Sequence, residues 1–217
     1  MNSTQLARWA PMGGIIFVVL IVIGTALVGD HPDPDATPEE ITDYLGDSGA
    51  HTRNIIGAYL WVLAGIGFLW FLTGLRSVLR TAEGAEGTLS NLGFGAGVVF
   101  TALLMAAGPA IAAVAAAIEF RDAPVTDPDF VRVLPQMGYG ILLLGGGFTA
   151  IVLVLTTSVI CLRTGVFPQW LAWLGIVAAI VLLFAIIFLP MIALLIWVLS
   201  VSIVLLTRRE ETATVAA

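Results

Sequence analysis

The stretch NIIGAYLWVLAGIGFLWFLTGL, residues 54–75, decides what kind of protein this chain is. It holds no Asp, Glu, Lys, Arg or His side chain, and an α-helix needs about 20 apolar residues to cross the hydrocarbon core of a bilayer. The whole chain is 59% hydrophobic and 11% charged, whereas soluble domains carry roughly 25% charged residues. The sequence therefore predicts an all-α membrane protein.

Working outward from this stretch, we expect a single six-helix transmembrane bundle over residues 1–217. The last apolar run, residues 170–207, would be about 57 Å long as one helix, and the hydrocarbon core is only about 30 Å thick. Pro190 removes a helical hydrogen bond near its middle, so two short spans with a turn around Phe188–Pro190 are predicted. The predicted spans are approximately 9–29, 54–75, 92–118, 133–162, 170–187 and 191–207. The first of them, behind Arg8, is alternatively a cleaved signal peptide.

The positions of the arginines predict the orientation of the bundle. All nine basic residues are arginines, and with the N-terminus inside, six face the cytoplasm and three lie outside, as the positive-inside rule requires. Both termini are then cytoplasmic, and the protein is a multi-pass protein of the cell (plasma) membrane. Eleven of the fifteen carboxylates fall on the outer side, so the outer face is acidic.

The predicted membrane interior carries no Asp, Glu, Lys, Arg or His side chain. Ion-coupled carriers, proton relays and voltage sensors need such groups at depth, so their absence argues against these classes. Haem held by two histidines is not expected, because His31 and His51 both lie beside the first polar loop. The single Cys161 leaves no partner for an intramolecular disulfide, and a net charge of −6 does not suit nucleic acid. No cofactor is predicted.

Small residues are the main feature of the predicted third and fourth spans, and they allow helix backbones to approach closely in lipid. Packing within the bundle or a dimer face would both use them. Gly108–Pro109 and Pro190 are predicted kinks. A faint sequence similarity between the halves 1–80 and 81–163 is explained either by duplication or by chance. The predicted packing residues are Gly93, Gly97, Ala102, Ala106, Gly145 and Gly147.

The acidic segment DHPDPDATPEEITDYLGD, residues 30–47, predicts a short capped helix in an outer loop spanning residues 30–50. Thr37 has the N-cap position and Glu40 the capping-box position. Ile41, Tyr44 and Leu45 share one face, so we expect the helix to lie on the outer leaflet with this face down and to end at Gly46 and Gly49. The alternative is a weak cation site built from Asp30, His31, Asp33 and Asp35, but the prolines between them splay alternate carboxylates apart.

Polar residues at neighbouring outer span ends form a candidate mouth. An Arg53–Glu119 ion pair is expected there, because a charge near the membrane interface seeks a partner. The group serves either as a structural clamp or as a binding site. Its members are His51, Arg53, Asn54, Glu119, Gln136 and Tyr139.

Three segments give the chain a resemblance to a known kind of protein: residues 32–80, LRTGVFPQWLAWLGIVAAIVLLF (162–184) and LLIWVLSVSIVLLTRR (194–209). They resemble a family of small six-helix membrane proteins from GC-rich, largely actinobacterial genomes, to which no activity is assigned. The resemblance covers most of the chain and implies a six-helix bundle. It implies no catalytic residue.

Three functions fit these observations. The first is a non-enzymatic accessory or interaction subunit, or a lipid-contacting bundle, with membrane lipid, a membrane-protein partner or a second copy as its partner. The second is an uncoupled permease or binding protein for a neutral or lipidic solute, which needs a polar path from residues such as Thr101, Thr149 and Thr156. The third is a membrane enzyme acting on lipid at the outer face, which needs a carboxylate pair or a histidine-based centre. The residues that could contribute to it are Asp30, His31, His51, Arg53, Glu119 and Asp122.

Overall fold

The computed structural model of the protein describes residues 3–28, 31–33, 35–121, 127–184 and 191–215, with the backbone alone given for 3–8, 128 and 208–215. The described residues are mostly helical and contain no strand, which confirms the all-α prediction. The helices are α1 (Ser3–Val28), α2 (Pro38–Gly46), α3 (Ser48–Glu83), α4 (Thr88–Ile111), α5 (Ala113–Arg121), α6 (Pro128–Gly140), a π-helical stretch (Ile141–Gly146), α7 (Gly147–Thr164), α8 (Gln169–Leu182) and α9 (Met191–Val215).

Four helical segments are long and apolar enough to cross a membrane: Trp9–Val28, Ser48–Glu83, Thr88–Ile111 and Asp129–Thr164. Two further apolar helices, Gln169–Leu182 and Met191–Thr207, are shorter. The first of these has 14 residues and is therefore about 21 Å long. The described residues thus contain four candidate spans, and the count of six stays a prediction. The turn predicted around Phe188–Pro190, with the kink at Pro190, lies outside the described residues.

The long helices form a ring in which α1 packs on α3, α3 on α4, α4 on α7, α7 on α8, α8 on α9 and α9 on α1. Three of them meet in an aromatic core. The ring of Phe68 on α3 lies 4.6 Å from that of Phe17 on α1 and 5.2 Å from that of Phe100 on α4, measured between centroids. Tilted and edge-to-face aromatic pairs at these distances are attractive, so this contact joins the first three long helices.

Glycines set the distance between α1 and α3. A Cβ added to Gly57 would stand 2.7 Å from the carbonyl oxygen of Gly24, and one added to Gly13 would stand 2.5 Å from that of Gly67. Neither distance leaves room for a methyl group, so the two backbones touch directly. This is the close approach that small residues permit in membranes, although the sequence pattern had pointed to other glycines.

The predicted packing residues divide into two groups. Gly93 faces Thr156 of α7, Gly97 faces Leu72 of α3, and Gly145 lies against Leu103, while Gly147 is buried. These glycines pack inside the bundle. Ala102 and Ala106 lie on the exposed face of α4, so of the two predicted uses their exposure favours a dimer face over packing within the chain.

Two predicted spans are interrupted. The span predicted over 92–118 is divided at Ala112, three residues after Pro109, and its C-terminal part is the separate helix α5. Proline removes a backbone donor and crowds the turn that precedes it, whereas this break follows Pro109 and α4 is helical up to Ile111. The kink at Gly108–Pro109 therefore stays a prediction. The span predicted over 133–162 contains the π-helical stretch Ile141–Gly146, which the sequence did not predict.

Candidate functional site

Helix α2 covers one end of the bundle, here named the cap end. Its capping box forms as the sequence predicts: the Thr37 hydroxyl accepts from the backbone N–H of Glu40 at 3.3 Å, and the Glu40 carboxylate accepts from the N–H of Thr37 at 2.7 Å. The helix ends at Gly46. Gly49 does not end it, because Asp47 caps the next helix and Gly49 already belongs to the first turn of α3.

The apolar face of α2 rests on protein. Ile41 is 1% exposed and Tyr44 is 8% exposed, and they form a small buried cluster with Ala50, Val114 and Val131. The expectation that this face lies on the outer leaflet therefore needs correction. Helices α5 and α6 supply the apolar floor that the sequence reading had assigned to lipid.

Beneath α2, a buried histidine is paired with a carboxylate. The imidazole of His51 is 1% exposed, and its Nδ1 lies 3.0 Å from Oε1 of Glu119. An ionised carboxylate only accepts hydrogen bonds, so Nδ1 carries the proton and donates. The Tyr44 ring packs edge-on against the imidazole, 4.8 Å between centroids. Burial raises the pKa of the Tyr44 hydroxyl to about 12.

The other predicted mouth residues on α3 point in different directions. Asn54, one turn below His51, is fully buried and donates from Nδ2 to the Val28 carbonyl oxygen at 3.3 Å. Arg53 is exposed, with Nη2 3.9 Å from a carboxylate oxygen of Asp47. The structure thus places Glu119 with the histidine, where the sequence had suggested Arg53.

The remaining mouth residues lie on α6. The Tyr139 hydroxyl is 2.9 Å from Nε2 of His31, and Gln136 is half-buried on the same helix. Arg132 donates to the Ala36 carbonyl oxygen at 2.7 Å. No local sequence signal predicts the His31–Tyr139 contact, because the two residues are 108 positions apart. Together these bonds fasten the segment that leads into α2 to helix α6.

Three buried polar atoms at the cap end have no hydrogen-bond partner in the described part of the chain: Nε of Arg132 on α6 and, on α3, Nε2 of His51 and Oδ1 of Asn54. His51 and Asn54 are one turn apart on α3. Buried polar atoms are normally paired, so this is the place at the cap end where a polar group from outside the chain would find free partners.

An open acidic basin lies on the solvent side of α2. Among the described residues, its carboxylates are those of Asp33, Asp35, Glu40, Asp43 and Asp47. These side chains are exposed, and among the described residues no group of three or more His, Cys, Asp or Glu side chains is placed to hold a metal ion. Asp30, the first residue of the alternative cation site, lies outside the described residues.

The hydroxyl groups inside the bundle are bonded to their own helices. Thr101 donates to the Gly97 carbonyl oxygen at 2.8 Å, and Thr149 donates to that of Gly145 at 3.0 Å. The cluster at 156–158 behaves in the same way, with Thr156, Thr157 and Ser158 each donating to a carbonyl oxygen four residues earlier at 2.8–2.9 Å. Such back-bonding satisfies the hydroxyl donor locally, so these groups have no free donor to offer to a polar path.

Comparison with protein-family models, with curated proteins and with solved structures finds no match to this chain. The resemblance to small actinobacterial membrane proteins therefore stays a prediction, and the function is argued from the geometry.

Proposed function

We propose that the protein is a non-enzymatic multi-pass membrane protein that acts as an accessory or interaction subunit, or as a lipid-contacting bundle. The observation that carries the proposal is the back-bonding of the interior hydroxyls to their own helices. The predicted spans also hold no Asp, Glu, Lys, Arg or His, and these are the groups that ion or proton chemistry at depth requires.

The cap end supports the same proposal. His51–Glu119, His31–Tyr139 and Arg132–Ala36 are each internal contacts between distant parts of the chain. The first joins α3 to α5, and the other two join the segment that leads into α2 to α6. This is what a structural clamp does. The sequence had left a clamp and a binding site as alternatives, and the clamp agrees better with these contacts.

The experiment for this proposal is native mass spectrometry of the protein, gently extracted from its own membrane. We expect a membrane-protein partner at fixed stoichiometry, a second copy of the chain, or bound lipid that stays with it. A lone chain that retains neither protein nor lipid would contradict the proposal. A polar solute retained by the bundle would favour the permease instead.

The proposal includes six spans, with both termini cytoplasmic, in the plasma membrane. Cys161 is the only cysteine, so a Cys161→Ser background allows single cysteines to report the side of the membrane. We expect Asp43→Cys to react with a membrane-impermeant maleimide on intact cells, whereas Glu86→Cys and Thr212→Cys react only after permeabilisation. Reaction of Thr212→Cys from outside would replace six spans by five.

A second candidate is a binding protein for a neutral solute at the cap end, favoured by two of the unpartnered atoms, His51 Nε2 and Asn54 Oδ1. Alanine substitution of His51, Arg53 and Glu119 tests it. Retention of every bound ligand and every phenotype would remove this candidate. The same result would remove the outer-face enzyme, whose further candidate residues Asp30 and Asp122 lie outside the described residues.

A further inference from the structure

An apolar cavity of about 210 Å³ lies within the bundle, in the half nearer to α2. Its walls come from α1, α3, α4, the π-helical stretch and the first turn of α9. Large apolar side chains form most of the surface, among them Phe17, Phe100, Leu104 and Leu142. None of the described lining residues is charged.

The wall of this cavity contains one buried hydrogen-bond donor without a partner. Trp61 is 1% exposed, and its indole Nε1 is not hydrogen-bonded within the part of the chain that the structure describes. The five-membered ring of the indole faces α1: a Cβ added to Gly24 would stand 2.7 Å from Cδ1 of Trp61. A buried indole N–H normally finds an acceptor, and inside a bilayer water does not supply one.

The cavity opens sideways. Val22 on α1 and Ile192 on α9 belong to its lining and are also 55% and 47% exposed on the outside of the bundle. Both are apolar residues of helices with the character of membrane segments. A molecule that enters between α1 and α9 therefore comes from the hydrocarbon phase.

The depth of Trp61 limits the chemistry of the occupant. Trp61 lies seven residues beyond the start of the span predicted over 54–75, which is about 10 Å along the helix. A lipid with a charged headgroup cannot bring its carbonyl group to this depth without burying charge. A neutral lipid can place its carbonyl group at this depth without burying a charge. At about 210 Å³ the cavity is smaller than the roughly 300–1,000 Å³ of drug-sized ligand sites, so it takes a part of such a lipid.

We propose that this cavity binds a neutral lipid that enters between α1 and α9 and whose carbonyl oxygen accepts a hydrogen bond from the Trp61 indole. The carbonyl belongs either to an ester, as in a diacylglycerol, or to a ring ketone, as in an isoprenoid quinone. The site stands whether or not the protein also has a protein partner, because all of its described walls come from one chain.

The test uses the purified full-length protein in phosphatidylcholine vesicles with three photoactivatable probes in separate samples. One is a diazirine-bearing diacylglycerol, one a diazirine-bearing isoprenoid quinone, and one a diazirine-bearing phosphatidylcholine. Labelled peptides are mapped by mass spectrometry. We expect one or both neutral probes to label the peptides around Val22 and Ile192 in competition with excess unlabelled neutral lipid. The probe that labels identifies the source of the carbonyl.

Two tryptophan variants distinguish the site from the general lipid surface. Trp61→Phe keeps the ring and removes the donor, and we expect it to lower competable labelling roughly fivefold, the effect of about 1 kcal/mol for one hydrogen bond. Trp70→Phe is the matched control, because Trp70 lies on the same helix with 48% of its surface exposed. It should leave labelling unchanged, and phosphatidylcholine labelling should not respond to either variant.

The proposal is overturned when neither neutral probe labels these peptides competitively, or when Trp61→Phe and Trp70→Phe label equally. Should Trp61→Phe fail to fold, the competition experiment on the wild-type protein decides alone. Because no protein partner takes part in the assay, its failure would leave the proposed accessory function standing.

Discussion

At the scale of the residue, the His51–Glu119 pair makes the most specific prediction. His51 is 1% exposed and bonds to a partner 68 positions away. Hydrogen bonds to charged groups contribute about 1.5–3 kcal/mol, so we expect His51→Ala to lower the free energy of unfolding by that order. Thr52→Ala, at the exposed neighbouring position, is the control. The measurement is denaturant titration in mixed micelles.

A double-mutant cycle separates the pair from the burial of the imidazole. His51→Ala and Glu119→Ala together should cost less than the sum of the single variants, because each single variant already removes the shared bond. Additive costs would show that the 3.0 Å contact contributes nothing to stability.

Tyr44 predicts a pH dependence of folding on the alkaline side. Its pKa is raised by burial from 10.0 to about 12. Below pH 10 both the folded and the unfolded chain keep the phenol protonated. Between about pH 10 and 12 only the unfolded chain loses this proton, so the stability of the fold decreases as the pH rises. Phenylalanine has no proton to lose, so we expect the stability of Tyr44→Phe to fall less than that of the wild-type protein between about pH 10 and 12. Thermal unfolding across the pH range measures this. An identical alkaline profile for both proteins would contradict the assignment.

At the scale of the element, α2 depends on its N-terminal cap. Thr37→Ala removes the hydroxyl that accepts from Glu40 N–H, and loss of such a cap typically costs about 1 kcal/mol. We expect faster amide hydrogen exchange in α2, with α3 and α4 unchanged. Thr42→Ala is the matched control, since the Thr42 hydroxyl only donates to the Pro38 carbonyl oxygen within the helix. Equal exchange in both variants would mean that the tertiary contacts of α2 alone hold it in place.

Elements with local signals were predictable, and those that depend on packing were not. The Thr37–Glu40 capping box and the Gly46 stop lie within α2 itself and form as expected. The apolar face of α2 is covered by α5 and α6. Apolar periodicity predicts that such a face is buried, but it does not show whether protein or lipid covers it. Helix α6 had a usable signal in Asp127 and Pro128, an N-cap followed by proline at the first position. The apolar run that follows favoured the prediction of one span over 133–162 instead.

At the scale of the whole molecule, composition was sufficient for the fold class and insufficient for the site. Apolar runs predict membrane helices wherever they lie in the chain, and the part of the chain that the structure describes has four of the required length. Pairing is a different matter. The sequence placed His51, Arg53 and Glu119 near one another, but which α3 side chain turns toward α5 depends on how the helices are rotated about their axes. The Trp61 cavity could not be foreseen either, because a tryptophan inside an apolar run gives no sign of an unpaired indole.

The ring of helices depends on the direct backbone contact between α1 and α3, and this gives the last prediction. A Cβ on Gly57 would stand 2.6 Å from Cγ2 and 2.8 Å from the backbone nitrogen of Val28, as well as 2.7 Å from the Gly24 carbonyl oxygen. Two of these three atoms belong to the backbone of α1, so the helix must shift as a body. Overpacking of this kind costs roughly 1–3 kcal/mol.

We therefore expect Gly57→Ala to lower the melting temperature in detergent and to reduce the fraction of protein that elutes as a single species. Gly95→Ala is the matched control, because a Cβ at that position of α4 meets no atom within 4 Å, and alanine favours a helix over glycine. It should be neutral or slightly stabilising. If the two variants melt alike, the α1–α3 contact does not limit the stability of the ring, and its stability must then rest on the aromatic core formed by Phe17, Phe68 and Phe100.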